Sequence, residues 1–257
     1  MKRYFVYLMF DGTPFHGWQV QPNANSVQEE IEQALQTLEQ RKVEIVGAGR
    51  TDTGVHAEEM VFHFDTDQKW DKRTFIHRLN SLLPKTIAVF DLREVKADFH
   101  ARFDATSRTY RYIICRKKNP FWLNRAYFFN RDLNVDKMNR AATYLVGKKD
   151  FTSFSKVHTQ TFTNVCELTH AEWKEEGDFL IFEIRANRFL RNMVRAVVGT
   201  LIEVGIGKRR VEDVSAILAA KNRSDAGASV PASGLYLCKI EYPEEGFIQD
   251  LQNHKTS

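Results

Sequence analysis

Val43-Glu44-Ile45-Val46-Gly47-Ala48-Gly49-Arg50-Thr51-Asp52-Thr53-Gly54-Val55-His56 is the stretch on which the reading of this chain turns. Val43 to Val46 has the composition of a strand, and it runs into a glycine-rich loop. Gly47 and Gly49 after a strand invite a dinucleotide-binding reading. The third glycine of that fingerprint falls at position 52, where the acid Asp52 would repel a pyrophosphate. Gly49 and Gly54 have the spacing of a phosphate-binding loop, but Val55-His56 stands where Lys and Ser or Thr are required. Neither nucleotide reading survives. What remains is a glycine-flanked loop that presents Arg50 and Asp52. In an extended segment, side chains two apart point the same way. Arg50 can therefore pair with Asp52, hold its carboxylate ionised and orient it. A carboxylate fixed in this way suits a nucleophile or general base. The same residues also fit a turn capped by Asp52 with Arg50 as a surface partner, and the pattern alone leaves both open.

Outward from this loop, strands and helices mix. Tyr4 to Phe10 reads as a buried strand, and Asp11-Gly12-Thr13-Pro14 as the turn that ends it. Ser26 and Glu29 have the spacing of a capping box. Val27, Ile31, Ala34, Leu35 and Leu38 then make one helical stripe. Met60, Phe62 and Phe64 alternate as in a strand, and Thr74 to Leu83 reads as a helix stopped by Pro84. A second set begins with a strand from Arg108 to Cys115, whose period of two places Arg108, Tyr110 and Tyr112 on one face. A helix from Val135 to Val146 follows, then strands from Asn164 to Lys174 and from Phe179 to Ala186. Helices from Phe189 to about Val204 and from Val211 to Ala220 come next, with a last strand from Leu235 to Ile240. There is no strict strand–helix alternation, which favours an α+β fold with antiparallel sheets. The order of elements in the first hundred residues roughly recurs after Arg108. The tail from Pro243 is polar and expected to be loose.

The 257 residues are 43% hydrophobic and 12% aromatic, enough for a substantial core and against disorder. No apolar run approaches the ~20 residues of a membrane helix. Met1-Lys2-Arg3 and the strand behind it mimic a signal peptide only briefly, since Asp11-Gly12-Thr13-Pro14 follows at once without a cleavage site. Three separated cysteines fit a reducing compartment, and no histidine pair has zinc-ligand spacing. A cytoplasmic, metal-free protein is expected. The net charge of +4 hides an uneven distribution. Residues 1–100 hold 12 basic and 15 acidic groups, whereas residues 101–230 hold 23 and 14. A basic central stretch in a near-neutral chain points to a polyanionic partner, or to solvated helix faces.

Three further patterns bear on chemistry. Arg188, Arg191 and Arg195 recur at i, i+3 and i+7 beside a wide apolar stripe that runs from Phe189 to Ile202. Arginines on a buried helix bind phosphates, neutralise a carboxylate in a cleft, or pair with acids such as Glu183 and Glu203. Tyr110, between Arg108 and Arg111 on a strand, fits a base-stacking platform or a half-buried core tyrosine. Arg116-Lys117-Lys118 and Lys208-Arg209-Arg210 fit nucleic-acid backbone contacts or ordinary loop charges.

Taken in order, seven segments resemble those of the tRNA pseudouridine synthase A family. They are Asp11-Gly12-Thr13-Pro14-Phe15-His16-Gly17-Trp18-Gln19, the loop from Gly47 to Ala57, and Phe99-His100-Ala101-Arg102-Phe103. Then come Arg108-Thr109-Tyr110-Arg111-Tyr112, Asp150-Phe151-Thr152-Ser153-Phe154, Phe189-Leu190-Arg191-Asn192-Met193-Val194-Arg195 and Pro231-Ala232-Ser233-Gly234-Leu235-Tyr236-Leu237. The resemblance covers Tyr4 to about Tyr242. It implies a cofactor-free isomerisation in which the uridine N1–C1′ bond breaks, the base rotates and C5 bonds to C1′. Asp52 matches the family's catalytic aspartate. Tyr110 matches the active-site tyrosine that stacks on the target base, and Arg195 the arginine that pairs with the aspartate. Arg50 matches the arginine that helps extrude the nucleotide. The implied fold is α+β, the pseudouridine synthase fold. It has two similar halves, each an antiparallel sheet flanked by helices, with the active-site cleft between them. Here the halves would span residues 1–104 and 105–245, followed by a polar tail, 246–257. A homodimer acting on the anticodon arm of tRNA, at positions 38, 39 and 40, is implied as well. Thr53 stands where alanine is commonest, and Arg188 where a small residue is usual. The same chemistry on another RNA, and a tRNA-binding or folding module, are the alternatives.

Overall fold

The structure, a computed structural model, describes residues 1–156 and 162–248. The last nine residues of the expected tail, 249–257, lie outside the described residues.

The first half is built on three long strands, β1 (Lys2–Phe10), β3 (His56–Thr66) and β4 (Ile87–Val95), with β1 central and antiparallel to both neighbours. Two helices accompany them, α1 (Val27–Glu39) and α2 (Lys72–Leu82). Ser26 caps α1 as its spacing requires, its hydroxyl accepting the Glu29 N–H at 3.2 Å. Asp71 does the same for α2 through the Thr74 N–H. The strand expected at Val43 to Val46 shrinks to β2 (Val46–Gly47), paired to β3. The Ile45 N–H donates to the Glu32 side chain of α1 at 3.2 Å rather than to a neighbouring strand.

The second half pairs β5 (Ser107–Cys115), β9 (Phe179–Ala186) and β8 (Val165–Glu176) antiparallel, with β7 (Gly147–Asp150) at the far edge and β6 (Tyr127–Phe128) beside β5. Its helices are α3 (Val135–Thr143), α4 (Met193–Gly205) and α5 (Asp213–Ala220). β10 (Leu235–Glu241) then returns to the middle of the molecule. It lies parallel to β3, pairing Tyr236 with His56 and Leu237 with Ala57, and antiparallel to β5. One twisted sheet results, in the order β4-β1-β3-β10-β5-β9-β8-β7. The expected α+β class is borne out, and the antiparallel sheets of the two halves meet on β10.

Among the described residues, two large hydrophobic cores and a small third cluster around Ile113 and Cys115 accompany this sheet. One large core gathers Phe5, Leu8, Ile31, Phe62 and Phe75, and the other Phe151, Phe154, Phe182, Val197 and Leu201. Tyr110 packs against both. Several expected boundaries move: the helix expected over Val135 to Val146 ends at Thr143, the one expected from Val211 begins at Asp213, and two further shifts have a clear cause. The helix expected from Phe189 begins at Met193, because Asn192 adopts a left-handed backbone (φ +65°) that no helix continues. The stretch after Pro243, expected to be loose, is docked as far as Ile248. Phe247 packs edge-on against Phe5, and the Ile248 N–H reaches the Glu94 carbonyl. Gly246 permits this, since a Cβ there would lie 2.1 Å from the Phe99 ring.

Candidate active site

Asp52 sits on the loop between β2 and β3, and that loop rests on a shelf formed by residues 11–18. The Trp18 N–H donates to the Thr51 carbonyl at 3.3 Å, and the Gly54 N–H donates to the Phe15 carbonyl at 3.3 Å. Two shelf residues must be glycine. Gly17 has φ +99°, and a Cβ on it would fall 2.4 Å from the Thr51 oxygen. A Cβ on Gly12 would fall 2.0 Å from the Val55 oxygen. The turn cluster seen in the sequence is thus the seat of the aspartate loop, a function no local pattern indicated.

The Asp52 carboxylate is 29% exposed and carries one guanidinium on each oxygen: Arg191 Nε lies 3.6 Å from Oδ1 and Arg195 Nη1 3.6 Å from Oδ2. These are ion-pair distances, longer than hydrogen bonds. Arg50 is exposed and makes no ion pair or hydrogen bond among the described residues. The pairing of Arg50 with Asp52 expected from their spacing is therefore not made. The arginines that meet Asp52 come from the other half of the chain. Arg191 belongs to a turn and Arg195 to the first turn of α4, and the left-handed Asn192 between them lets both reach one carboxylate.

Arg195 is aimed by backbone. Its Nε donates to the Val230 carbonyl at 2.7 Å, and the Val230 N–H donates back to the Arg195 carbonyl. Val230 ends a strap, residues 226–230, laid on α4. The strap lies so close that a Cβ on Gly199 would meet the Ala228 oxygen at 1.8 Å. Its Ser229 hydroxyl accepts from Asn192 Nδ2 at 2.6 Å and from Arg223 Nη2 at 3.0 Å.

Tyr110 lies on β5 between Leu237 of β10 and Ile184 of β9. Its ring is half-buried and meets Phe189 edge-on at 5.1 Å. Burial pushes its phenol up to about 12; Arg108 opposes the rise and the Asp52 charge adds to it. The group is therefore a neutral hydroxyl near neutral pH, within electrostatic reach of Asp52. On the same face of β5, Arg108 donates to four backbone carbonyls, those of Ala48, Arg102, Ala105 and Asn187. No carboxylate pairs with it among the described residues, and burial lowers its pKa. It acts as a rivet between the start of the Asp52 loop, the turn at 100–105 and the segment leading to Arg191.

All but Lys118 of the two basic clusters are ion-paired among the described residues. Arg116 meets Glu175 and Lys117 meets Asp178, while Lys208 and Arg209 share Glu203 and Arg210 meets Asp213. Among the described residues no group of His, Cys, Asp and Glu could hold a metal ion. The arrangement is a reachable carboxylate between two guanidiniums, beside an aromatic hydroxyl. It can attack or deprotonate a ligand whose own negative charge the arginines tolerate.

Comparison with known proteins agrees with this chemistry. A family model described as tRNA pseudouridine synthase matches residues 7–104 and 141–243, spans that hold Arg50, Asp52, Arg191 and Arg195. Tyr110 falls between them. A tRNA pseudouridine synthase A of Bacteroides thetaiotaomicron is 51% identical, over 100% of this chain and 97% of that protein. The proteins of the same description from Bacteroides fragilis and Porphyromonas gingivalis are 50% and 48% identical, each over 96% of this chain and 99% and 100% of their own.

Proposed function

The chain belongs to the tRNA pseudouridine synthase family, and from that premise we propose that it isomerises uridine to pseudouridine at positions 38, 39 and 40 of the tRNA anticodon stem and loop. The observation that carries the reading is the pairing of Asp52 with Arg191 and Arg195 beside the Tyr110 ring. The N1–C1′ bond breaks, the uracil turns, and C5 bonds to C1′. The C5 proton leaves and N1 gains one, so the step is balanced without any cofactor. Asp52 is the catalytic group, as a nucleophile or as the base that draws a proton from the ribose. Arg195 holds one oxygen of the carboxylate through the reaction, and Arg191 covers the other until RNA arrives.

A uridine inside a stem is unreachable until it leaves the stack, which costs a few kcal/mol. Arg50, exposed and unpaired at the loop, takes the vacated space. Tyr110 stacks on the extruded base and recovers about 1–3 kcal/mol of that cost. Its hydroxyl, kept neutral by burial, moves a proton at C5 in this reading. The enzyme works as a homodimer in the cytoplasm, in line with the family resemblance. No helix among the described residues is long and apolar enough to cross a membrane.

Tritium release from tRNA labelled at uridine C5 tests the reading, because C5 loses its hydrogen only when the new bond forms there. Wild type is expected to release tritium and Asp52→Ala to release none while still binding tRNA. Release by Asp52→Ala at the wild-type rate would remove Asp52 from the chemistry. No release by wild type would remove the activity itself.

A further inference from the structure

The Phe99-His100-Ala101-Arg102-Phe103 segment has no part in the chemistry above, and its five residues divide sharply. Phe99 is a core residue stacked on Phe5, and Ala101 is fully buried. His100 holds a tight turn together: its Nδ1 accepts from the N–H groups of Arg102 (3.0 Å) and Phe103 (3.3 Å). The His100 N–H in turn donates to the Asp104 carboxylate at 2.6 Å, and the Asp104 N–H to the His100 carbonyl at 3.1 Å. Ala101 is clamped on both sides, its N–H on His63 Nδ1 and its carbonyl under the Tyr242 hydroxyl. This rigid turn leaves the Phe103 ring 75% exposed.

A single exposed aromatic is ordinary. Three observations set this one apart. Its backbone is fixed by the bonds just described, so the ring is presented rather than trailing. One side of it rests on the His100 imidazole (4.3 Å between centroids), and the Arg102 guanidinium lies over the ring, 5.6 Å from its centroid. Its turn is tied to the Asp52 loop. One nitrogen of Arg108 bonds both the Arg102 carbonyl (2.7 Å) and the Ala48 carbonyl at the start of the Asp52 loop (3.2 Å). A rigid aromatic ring with an arginine on it that can turn to a phosphate suits a nucleobase and its backbone.

We propose that Phe103 is a stacking platform for a nucleobase next to the extruded uridine, with Arg102 on the adjoining phosphate. The inference rests on the tRNA reading above. It adds a subsite separate from Tyr110, on the Ala48 side of the cleft, which holds the strand in register while the target base is out.

The test measures binding of a fluorescently labelled anticodon stem-loop RNA, at low and high salt, together with turnover. Phe103→Ala and Phe103→Leu are expected to weaken binding about 5- to 150-fold, the worth of one stacked base. The loss is equal at both salts, because stacking releases no counterions. Phe103→Tyr restores affinity to within about threefold of wild type. Arg102→Ala instead flattens the salt dependence. Unchanged affinity in Phe103→Ala overturns the platform. So does an equal loss in Phe121→Ala, a similarly exposed aromatic elsewhere, since that would be a generic apolar effect. A shift of Phe103→Ala to a smaller oligomer would place the ring between two copies of the chain and overturn it as well. Because the readout is binding, failure of wild-type turnover is scored separately and falls on the proposed function alone.

Discussion

Gly17→Ala tests whether the shelf under the Asp52 loop sets the activity. The substitution adds one methyl group, yet the structure leaves no place for it. The Gly17 backbone at φ +99° is a conformation that costs an L-residue about 1–2 kcal/mol. The new Cβ would sit 2.4 Å from the Thr51 oxygen and 3.3 Å from the Asp52 carbonyl carbon. An ordinary contact needs roughly 1 Å more, so the loop must rise or Gly17 must retreat. Overpacking of this kind costs about 1–3 kcal/mol, and displacement of a reacting group by about 1 Å costs roughly 100-fold in rate. Gly49→Ala is the control. It lies on the same loop and makes the same chemical change, but its Cβ would meet nothing within 4 Å and its φ is not positive. We expect Gly17→Ala to fold with a lowered Tm and to lose about 100-fold in kcat, with Kd for tRNA within a few-fold of wild type. Gly49→Ala should keep wild-type kcat. Wild-type kcat in folded Gly17→Ala, or equal losses in the two variants, would refute the shelf.

Two further outcomes follow from the packing. Burial lowers the pKa of His63 to about 4, with Arg3 and His100 adding to the effect. Its neutral form is the one that accepts the Ala101 N–H. A folded pKa below the unfolded 6.5 means stability that is full above pH 6.5 and lost as pH falls toward 4, about 3 kcal/mol in all. Urea unfolding between pH 7 and 4.5 should therefore be steeper in pH for wild type than for His63→Asn; parallel curves would sink the assignment. Arg195→Lys keeps the charge but loses both the bond to Val230 and the planar fork, so kcat should fall about 10-fold or more with Kd little changed. Equal losses in kcat and Kd would make Arg195 a phosphate contact instead.

Much of the fold was legible because the chain is locally consistent. The alternation around Met60, Phe62 and Phe64 and the Ser26 cap announced β3 and α1 as they stand. β4 escaped notice because Ile87-Ala88-Val89-Phe90-Asp91-Leu92 breaks alternation at Asp91 and Leu92, both buried. Asp91 stands there because Lys72 and Arg93 neutralise it, a condition set by tertiary neighbours. The site shows the same division. Asp52, Tyr110 and Arg195 stood out as residue types in unusual company. That Arg191 joins Arg195 on the same carboxylate was not legible, since it depends on the left-handed turn at Asn192, and an asparagine inside an apolar helical stripe gives no sign of that turn. The loop glycines drew attention for the wrong reason. Gly12 and Gly17 matter more than Gly49, and the difference lies in what their missing side chains would strike.

The three arginines of the cleft are held in two different ways, and the difference bears on how the site functions before RNA arrives. Arg195 and Arg108 are held by backbone carbonyls, and the strap that aims Arg195 is held by Arg223 and Asn192 through one serine hydroxyl. Carbonyls on packed segments do not move with a ligand's charge, so these guanidiniums keep their places when a polyanion enters. Arg191 differs. Its side chain is 59% exposed and, among the described residues, makes only the 3.6 Å approach to Asp52. It is free to exchange that carboxylate for a phosphate. Binding of tRNA would then draw Arg191 off one oxygen of Asp52 while Arg195 still held the other, unmasking the carboxylate for attack. Preorganisation of this kind places donors without reorganisation at the moment of reaction. It assigns the fixed arginine to catalysis and the mobile one to the arrival of substrate. Arg191→Ala should accordingly weaken tRNA binding more than it slows the bound complex, the reverse of Arg195→Lys. The two variants measured side by side by single-turnover kinetics and Kd distinguish the roles, and the same ratio of losses in both would erase the distinction.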